Sequence, residues 1–377
     1  MLTLIKNVDL FSPQPMGQKD ILVADRRIAA IEDKIDLPES LPGLEIVDAR
    51  GLTAVPGFVD NHVHITGGGG EGGFDTRTPE LEIKELIKAG VTTVIGVRGT
   101  DGFSRSMQNL VAKAKSIRKQ GFSCWILTGS YQVPVRTLTG SIESDIMMVE
   151  EIIGTGEIAV ADHRSSHPGI EDLLSLASST RVGGMLSGKS GVVNLHLGDG
   201  EKAFDIVKAI VNQSDIPARQ LVPTHVNRNY GLLCQAYDWA KSGGFIDMTA
   251  SGFVAGKDDP RTRCSRALIH ALELGVPIEN VSFSSDGQGS LPIFGPDNQI
   301  CGAGVGTCSS LIEEVRDLVL ELDTSLETAL RPVTQTPSEI YGLPGKGRLI
   351  PSYDADILLL DHGLNINRVM SGGIFYS

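Results

Sequence analysis

The segment Val55-Pro-Gly-Phe-Val-Asp-Asn-His-Val-His64 runs straight into Ile65-Thr-Gly-Gly-Gly-Gly-Glu71. Its apolar lead-in is that of a buried strand, and side chains alternate faces along a strand, so His62 and His64 leave its end on the same side. Two imidazoles on one face are half a metal site. The glycine run from Gly67 to Gly70 lacks the lysine and hydroxyl residue of a phosphate-binding loop, which leaves it as a loop of close backbone approach.

Outward from this strand the chain changes style twice. Towards the C-terminus, apolar runs of strand length at 57–60, 92–97, 124–127, 158–161, 192–195, 221–223, 245–248 and 281–284 alternate with amphipathic stretches at 80–89, 107–119, 170–177, 202–211, 232–241 and 265–274. Such alternation marks βα units and a parallel sheet. Eight units without a dinucleotide fingerprint after the first strand predict an α/β chain closed as a (β/α)8 TIM-like barrel over residues 56–342. Before it, short runs at 2–5, 20–23 and 27–31 are broken by Pro, Gly and Asp turns, and the same style returns at 347–351, 355–360 and 372–376. Residues 1–55 and 343–377 are therefore expected to pair as one small β-sandwich domain beside the barrel.

The chain has 377 residues, 41% hydrophobic and 21% charged, enough for one large core and a smaller unit, which excludes a disordered or fibrous protein. A formal charge of -13 argues against nucleic acid or an anionic membrane as partner, because both are bound through clustered Lys and Arg. An anionic substrate must then be captured by a few local arginines. The cysteines Cys124, Cys234, Cys264, Cys301 and Cys308 are odd in number and lack CxxC spacing, so a disulfide framework is not expected and a reducing compartment is. The N-terminus lacks the order of a signal peptide, and no run approaches the ~20 apolar residues of a membrane span. A cytoplasmic enzyme is the expectation.

In a barrel of this kind the loops after the strands carry the chemistry. Strand one ends in His62 and His64, strand five in Asn194-Leu-His196, strand six in Pro223-Thr-His225 and strand eight in Ser284-Ser-Asp286. Each is ordinary alone; closure of a barrel would gather all of them. Four histidines and one aspartate exceed the three protein ligands of a catalytic zinc, so two divalent metal ions are expected, with zinc suited to imidazole and carboxylate donors. Two close cations also require a bridging carboxylate and a bridging hydroxide, and that hydroxide is a nucleophile at neutral pH. Asp286 can serve both as ligand and as general base, which makes amide hydrolysis the expected reaction.

Pro56-Gly-Phe-Val-Asp-Asn-His-Val-His64 with His196, His225 and Asp286 resembles the amidohydrolase superfamily, whose members share a metal-bearing barrel and a small sandwich. Gly67-Gly-Gly-Gly-Glu71, Thr128-Gly-Ser-Tyr131, Asp162-His-Arg-Ser165, Pro223-Thr-His-Val-Asn-Arg-Asn229 and Ser284-Ser-Asp-Gly-Gln-Gly-Ser290 are similar to its isoaspartyl (β-aspartyl) dipeptidase branch, over nearly the full length. That branch commonly bridges its metals with a carboxylated lysine just ahead of the Asp-His-Arg word, where this chain has Glu157. Glutamate offers the same two oxygens on a shorter side chain. The strand reading puts Glu157 near the start of its strand, where the strand-end rule would favour Asp162 or His163, and Lys189 competes as a bridge from what reads as a loop.

The resemblance further implies that Tyr131 contacts the developing oxyanion and that Ser290, Gly69 and the backbone near Thr100 assist in binding. Arg164 and Arg228 follow ligand-bearing strands and suit carboxylates, while Glu71 suits an ammonium group. Their number and sign match a small zwitterionic isoaspartyl dipeptide with two carboxylates and one amine. Homo-oligomers are typical of the resembled proteins. Two other readings remain open: an amidohydrolase for a cyclic amide or N-acyl amino acid, and a non-catalytic assembly protein on the same fold, a class that usually loses metal ligands. His163, His167, His270 and His362 are assigned to solvated or supporting positions.

Overall fold

The computed structural model describes residues 2–200, 202–294 and 300–376. The chain opens with strands β1 (Leu2–Phe11), β2 (Pro15–Ala24), β3 (Arg27–Glu32), β4 (Leu44–Asp48) and β5 (Thr53–Pro56). Then come β6 (Phe58–Val63), β7 (Val91–Gly96), β8 (Ser123–Thr128), β9 (Ile152–Val160), β10 (Val192–Leu197) and β11 (Leu221–Thr224), which pair in sequence order as a six-stranded sheet, and β12 (Ile246–Thr249) with β13 (Val281–Ser284) as a further pair. All these neighbours run parallel. Val226 N donates to Asp247 O at 3.4 Å and His64 N to Gly287 O at 2.8 Å, so backbone bonds tie the pair to both edges of the six. The sheet curls, and the whole is consistent with a TIM barrel.

Helices α1 (Ile83–Ala89), α2 (Met107–Lys119), α3 (Ile142–Met148), α4 (Ile170–Ser187), α5 (Ala203–Asn212), α6 (Tyr230–Lys241) and α7 (Cys264–Glu273) connect these strands. The side chains of Ser106, Ser141 and Asn229 cap α2, α3 and α6 by accepting from backbone N–H groups that no helical carbonyl reaches. Every residue of β6, β7, β9 and β10 is buried, as expected where a parallel sheet is covered on both faces. After β13 come the antiparallel strands β14 (Ser290–Phe294) and β15 (Ile300–Val305), then α8 (Ser310–Arg316), α9 (Leu326–Leu330) and α10 (Gln335–Ile340). Ile340, Tyr341 and Leu343 pack with Val59, Ile95, Leu127, Ile153, Val192 and Val222, one from each of β6 to β11, as one apolar cluster.

The chain closes with β16 (Ile357–Leu360), β17 (Ile366–Ser371) and β18 (Ile374–Tyr376). Both chain ends do share a sheet: its order is β18-β17-β16-β5-β1-β2-β3, with β4 paired to β1, and β16 runs antiparallel to β5. This sheet has its own core, including Ile5, Val8, Leu10, Ile21, Leu359 and Met370.

Three local expectations are corrected. The strand expected at 158–161 begins at Ile152, because Gly154, Thr155 and Gly156 interrupt its apolar run without ending its pairing to β10. The helix expected over 170–177 continues to Ser187, where Gly188 at φ 69 stops it. Residues 347–351 form no strand; Gly347 turns there at φ 77, and Ser12 Oγ both donates to Leu349 O and accepts from Leu349 N at 2.8 Å. Cys124, Cys234, Cys264 and Cys308 are free thiols, while the side chain of Cys301 lies outside the described residues. Among the described residues no helix is long and apolar enough to cross a membrane.

Candidate metal centre and substrate rim

His62 and His64 stand at the end of β6, Glu157 in the second half of β9, His196 one residue before the end of β10, and His225 and Asp286 just past β11 and β13. The parallel arrangement brings these six side chains together. Glu157 is their hub: its Oε2 lies 2.8 Å from His196 Nδ1, 3.3 Å from His62 Nε2 and 3.5 Å from His225 Nε2, and its Oε1 lies 3.5 Å from His64 Nε2. Asp286 Oδ1 is 3.0 Å from His64 Nε2 and 4.0 Å from His62 Nε2. Two overlapping groups result, His62 with His64 and Asp286, and His62 with Glu157 and His225; within each, the ligand atoms lie within 4.8 Å of one another. His196 adjoins the second group through Glu157.

The surroundings fit cations. Among the described residues, His62 Nδ1, His64 Nδ1 and Glu157 Oε1 are buried without a hydrogen-bond partner, a shortage that side chains of a finished core rarely show. A Cβ at Gly99 would stand 2.9 Å from His64 Cε1 and 3.3 Å from Glu157 Oε1, so the loop after β7 can pass this close only as glycine. Burial alone would raise the Glu157 carboxyl, but His62 and His196 beside it hold it well below the usual carboxylate range. Burial likewise opposes ionisation of Asp286, and the neighbouring His64, His225 and His62 bring it down to about 2. Burial lowers His225 to about 3 against the pull of Glu157, with Arg228 and His196 adding to the effect, so this imidazole is neutral. Ionised carboxylate and neutral imidazole are the forms that bind metal. His62, although burial works against its charged form, is raised to about 9 by Glu157 and Asp286, a measure of how strongly these acids call for positive charge.

The expected substrate contacts form a rim on the same side. Arg164 donates from Nε to Asp162 Oδ1 at 3.0 Å and from Nη2 to Asp162 Oδ2 at 2.8 Å, and its Nη1 reaches Glu71 Oε1 at 3.4 Å. Arg228 donates from Nε to Leu197 O at 2.9 Å, and its Nη2 lies 3.1 Å from His196 Nε2. Glu71 accepts from Thr100 Oγ1 at 3.0 Å and from Ser290 Oγ at 3.2 Å. Tyr131 Oη lies 2.9 Å from His196 Nδ1, with the Arg164 guanidinium over its ring at 5.2 Å. Gly69 turns at φ 72 and bridges to Arg77, and the loop around it is pinned by Arg105 Nη2, which donates to Gly68 O at 2.9 Å and Thr78 O at 3.0 Å.

Other candidates fall elsewhere. Lys189 donates from Nζ to the carbonyls of Ile146, Val149 and Ile152 at the opposite end of β9, far along the strand from Glu157. His163 is exposed, as are His167 and His362, and His270 sits between the rings of Tyr230 and Tyr237. The sequence reading weighed Asp162 only as a bridge, whereas its buried carboxylate holds Arg164 and lies 3.1 Å from His196 Nε2. It missed Thr249, whose Oγ1 is 2.6 Å from His225 Nδ1, and Asp60, which accepts from Ser285 N at 3.0 Å beside Asp286. Thr249 stands at a strand end, but a hydroxyl there is not itself a ligand of the expected imidazole and carboxylate type.

Similarity to known proteins agrees with this geometry. Residues 260–375 match the amidohydrolase family model. Dihydroorotase from Elusimicrobium minutum is 40% identical over 121 residues, a segment that is 32% of this chain and only 26% of that protein. The structure of dihydropyrimidinase from Brevibacillus agri shares the fold, with a TM-score of 0.67 at 15% identity over 100% of this chain and 95% of the other. The crystal structure of a β-aspartyl dipeptidase from the thermophilic, keratin-degrading Fervidobacterium islandicum AW-1, in complex with a β-Asp-Leu dipeptide, superimposes with a TM-score of 0.92 at 42% identity, covering 100% of this chain and 96% of that one. On that full-length likeness, the chain belongs to the amidohydrolase family and is a metal-dependent hydrolase.

Proposed function

We propose that this chain hydrolyses the amide bond of β-aspartyl (isoaspartyl) dipeptides with two divalent cations, zinc by donor type, held by His62, His64, Glu157, His196, His225 and Asp286. The observation that carries the reading is the single buried carboxylate of Glu157, faced by nitrogens of four imidazoles from three other strands. When bound, such ions supply water ionised near neutral pH and an electrophile for the carbonyl oxygen. Asp286 would take the proton from a water as its oxygen adds to the amide carbonyl carbon, and would pass that proton to the leaving nitrogen as the C–N bond breaks. Burial pushes the Tyr131 phenol well above its ordinary pKa, so it stays protonated and donates to the carbonyl oxygen as that atom gains charge. Arg164 and Arg228 hold the two substrate carboxylates, Glu71 the ammonium, and Ser290, Gly69 and Thr100 complete the hydrogen bonds.

The same reading takes the parallel strands as one closed barrel over 56–342 and the sheet of the two ends, 1–55 and 343–377, as a small sandwich domain. It places the protein in the cytoplasm, consistent with four free described thiols, as a homo-oligomer. Its test is aspartate release from β-Asp-Leu by metal-replete protein; absence of turnover rejects it. A second reading, hydrolysis of a cyclic amide or N-acyl amino acid, draws on Glu71 being already engaged by Arg164 at 3.4 Å. Such substrates lack a free amine, so Glu71→Gln would then leave activity nearly intact, whereas on the dipeptide reading it raises KM at least ~10-fold, the loss of one charge-assisted contact.

A further inference from the structure

Strand β12 contributes no residue to either cation-holding group, yet it carries a charge at the heart of the barrel. Asp247 is fully buried, and its oxygens accept four hydrogen bonds, all from neutral donors: Oδ1 from Asn61 Nδ2 at 2.9 Å and Ser282 Oγ at 2.7 Å, Oδ2 from Thr224 Oγ1 and Ser284 Oγ, both at 2.6 Å. These donors sit on β6, β11 and β13, and three of them adjoin ligands in sequence: Asn61 precedes His62, Thr224 precedes His225, and Ser284 stands two before Asp286. Further along β12, Thr249 meets the far nitrogen of His225. Desolvating a carboxylate costs several kcal/mol, and no Lys or Arg pairs with this one among the described residues. Four neutral hydrogen bonds hold such a charge without cancelling it.

We propose that Asp247 is a positioning residue of the metal centre, its carboxylate locking Asn61, Thr224 and Ser284 in one register so that His62, His225 and Asp286 meet the cations together. The inference rests on the reading of the site as a metal centre. It also explains why the acid is not an amide: an asparagine offers one oxygen, so at least one pair of donors would face an N–H instead.

The test is titration of metal-free full-length protein with Co2+, followed by its visible absorption, and competition with Zn2+, for the wild type, Asp247→Asn, Thr224→Val and Ser284→Ala. Asp247→Asn is expected to weaken at least one ion by about 10–100-fold, the range for loss of an outer partner, and to alter the Co2+ spectrum. Thr224→Val should weaken the ion of the His225 group and Ser284→Ala that of the Asp286 group, and these two carry the test if Asp247→Asn does not fold. Wild-type affinity and spectrum in the variants that fold, whatever their melting temperature, would make Asp247 merely structural and overturn the proposal. A wild type that takes up no Co2+ removes the metal-centre reading itself, and the positioning role with it.

Discussion

The two ends of β9 hold opposite charges in opposite ways. At its start, the Lys189 ammonium spreads three protons over three carbonyls at 2.6 to 2.9 Å, so its hydrogen-bonding capacity is filled by the backbone. Near its end, Glu157 is ringed by imidazoles, and its Oε1 has no hydrogen-bond partner among the described residues. Both are ionisable groups, Glu157 fully buried and Lys189 half-buried. The protein finishes the first and leaves the second short of positive charge, and this shortage separates a chemical site from a structural one.

The largest test of that contrast is Glu157→Ala. Metal content measured by elemental analysis should fall below that of the wild type, and activity should drop by more than the ~10–100-fold that removing an outer partner costs. Full metal content in this variant would erase the distinction between the two ends. Asp286→Asn should lower kcat by ~10²–10⁴, the usual contribution of a placed base, with a smaller change in KM. At the other end, Lys189→Met should leave kcat and metal content unchanged but reduce unfolding free energy by ~1–3 kcal/mol, read from the urea midpoint, since buried carbonyls lose their donor. The smallest expected effect is none: bicarbonate should not stimulate the enzyme. A bicarbonate requirement would point to a carboxylated lysine and return the bridging role to Lys189 or another lysine.

The same contrast explains what was legible in the sequence. His62, His64, His196, His225 and Asp286 were found because each ends an apolar run, and a parallel arrangement gathers strand ends whatever their separation in the chain. Helix α2 was read at its full length, since its apolar face repeats regularly between Ser106 and Gln120. Glu157 was harder: flanked by Gly156 and preceded by Gly154, it looks like the edge of a strand that in fact starts at Ile152. Asp247 carried no signal, because a polar residue inside a short apolar run has no ligand spacing to flag it; only its neighbours on β6, β11 and β13 give it meaning. Likewise, nothing local shows that Ser12 and Leu349 meet.

The seam between β5 and β16 has a consequence for biosynthesis. Pro56 pairs with Ile357, and only Gly57 separates β5 from the strand that bears His62 and His64. A ribosome releases β5 long before it makes β16, so β5 must wait with that edge unpaired until about 300 further residues have followed it. Truncation just short of Ile357 would therefore strand that edge permanently, one residue away from the strand that carries His62.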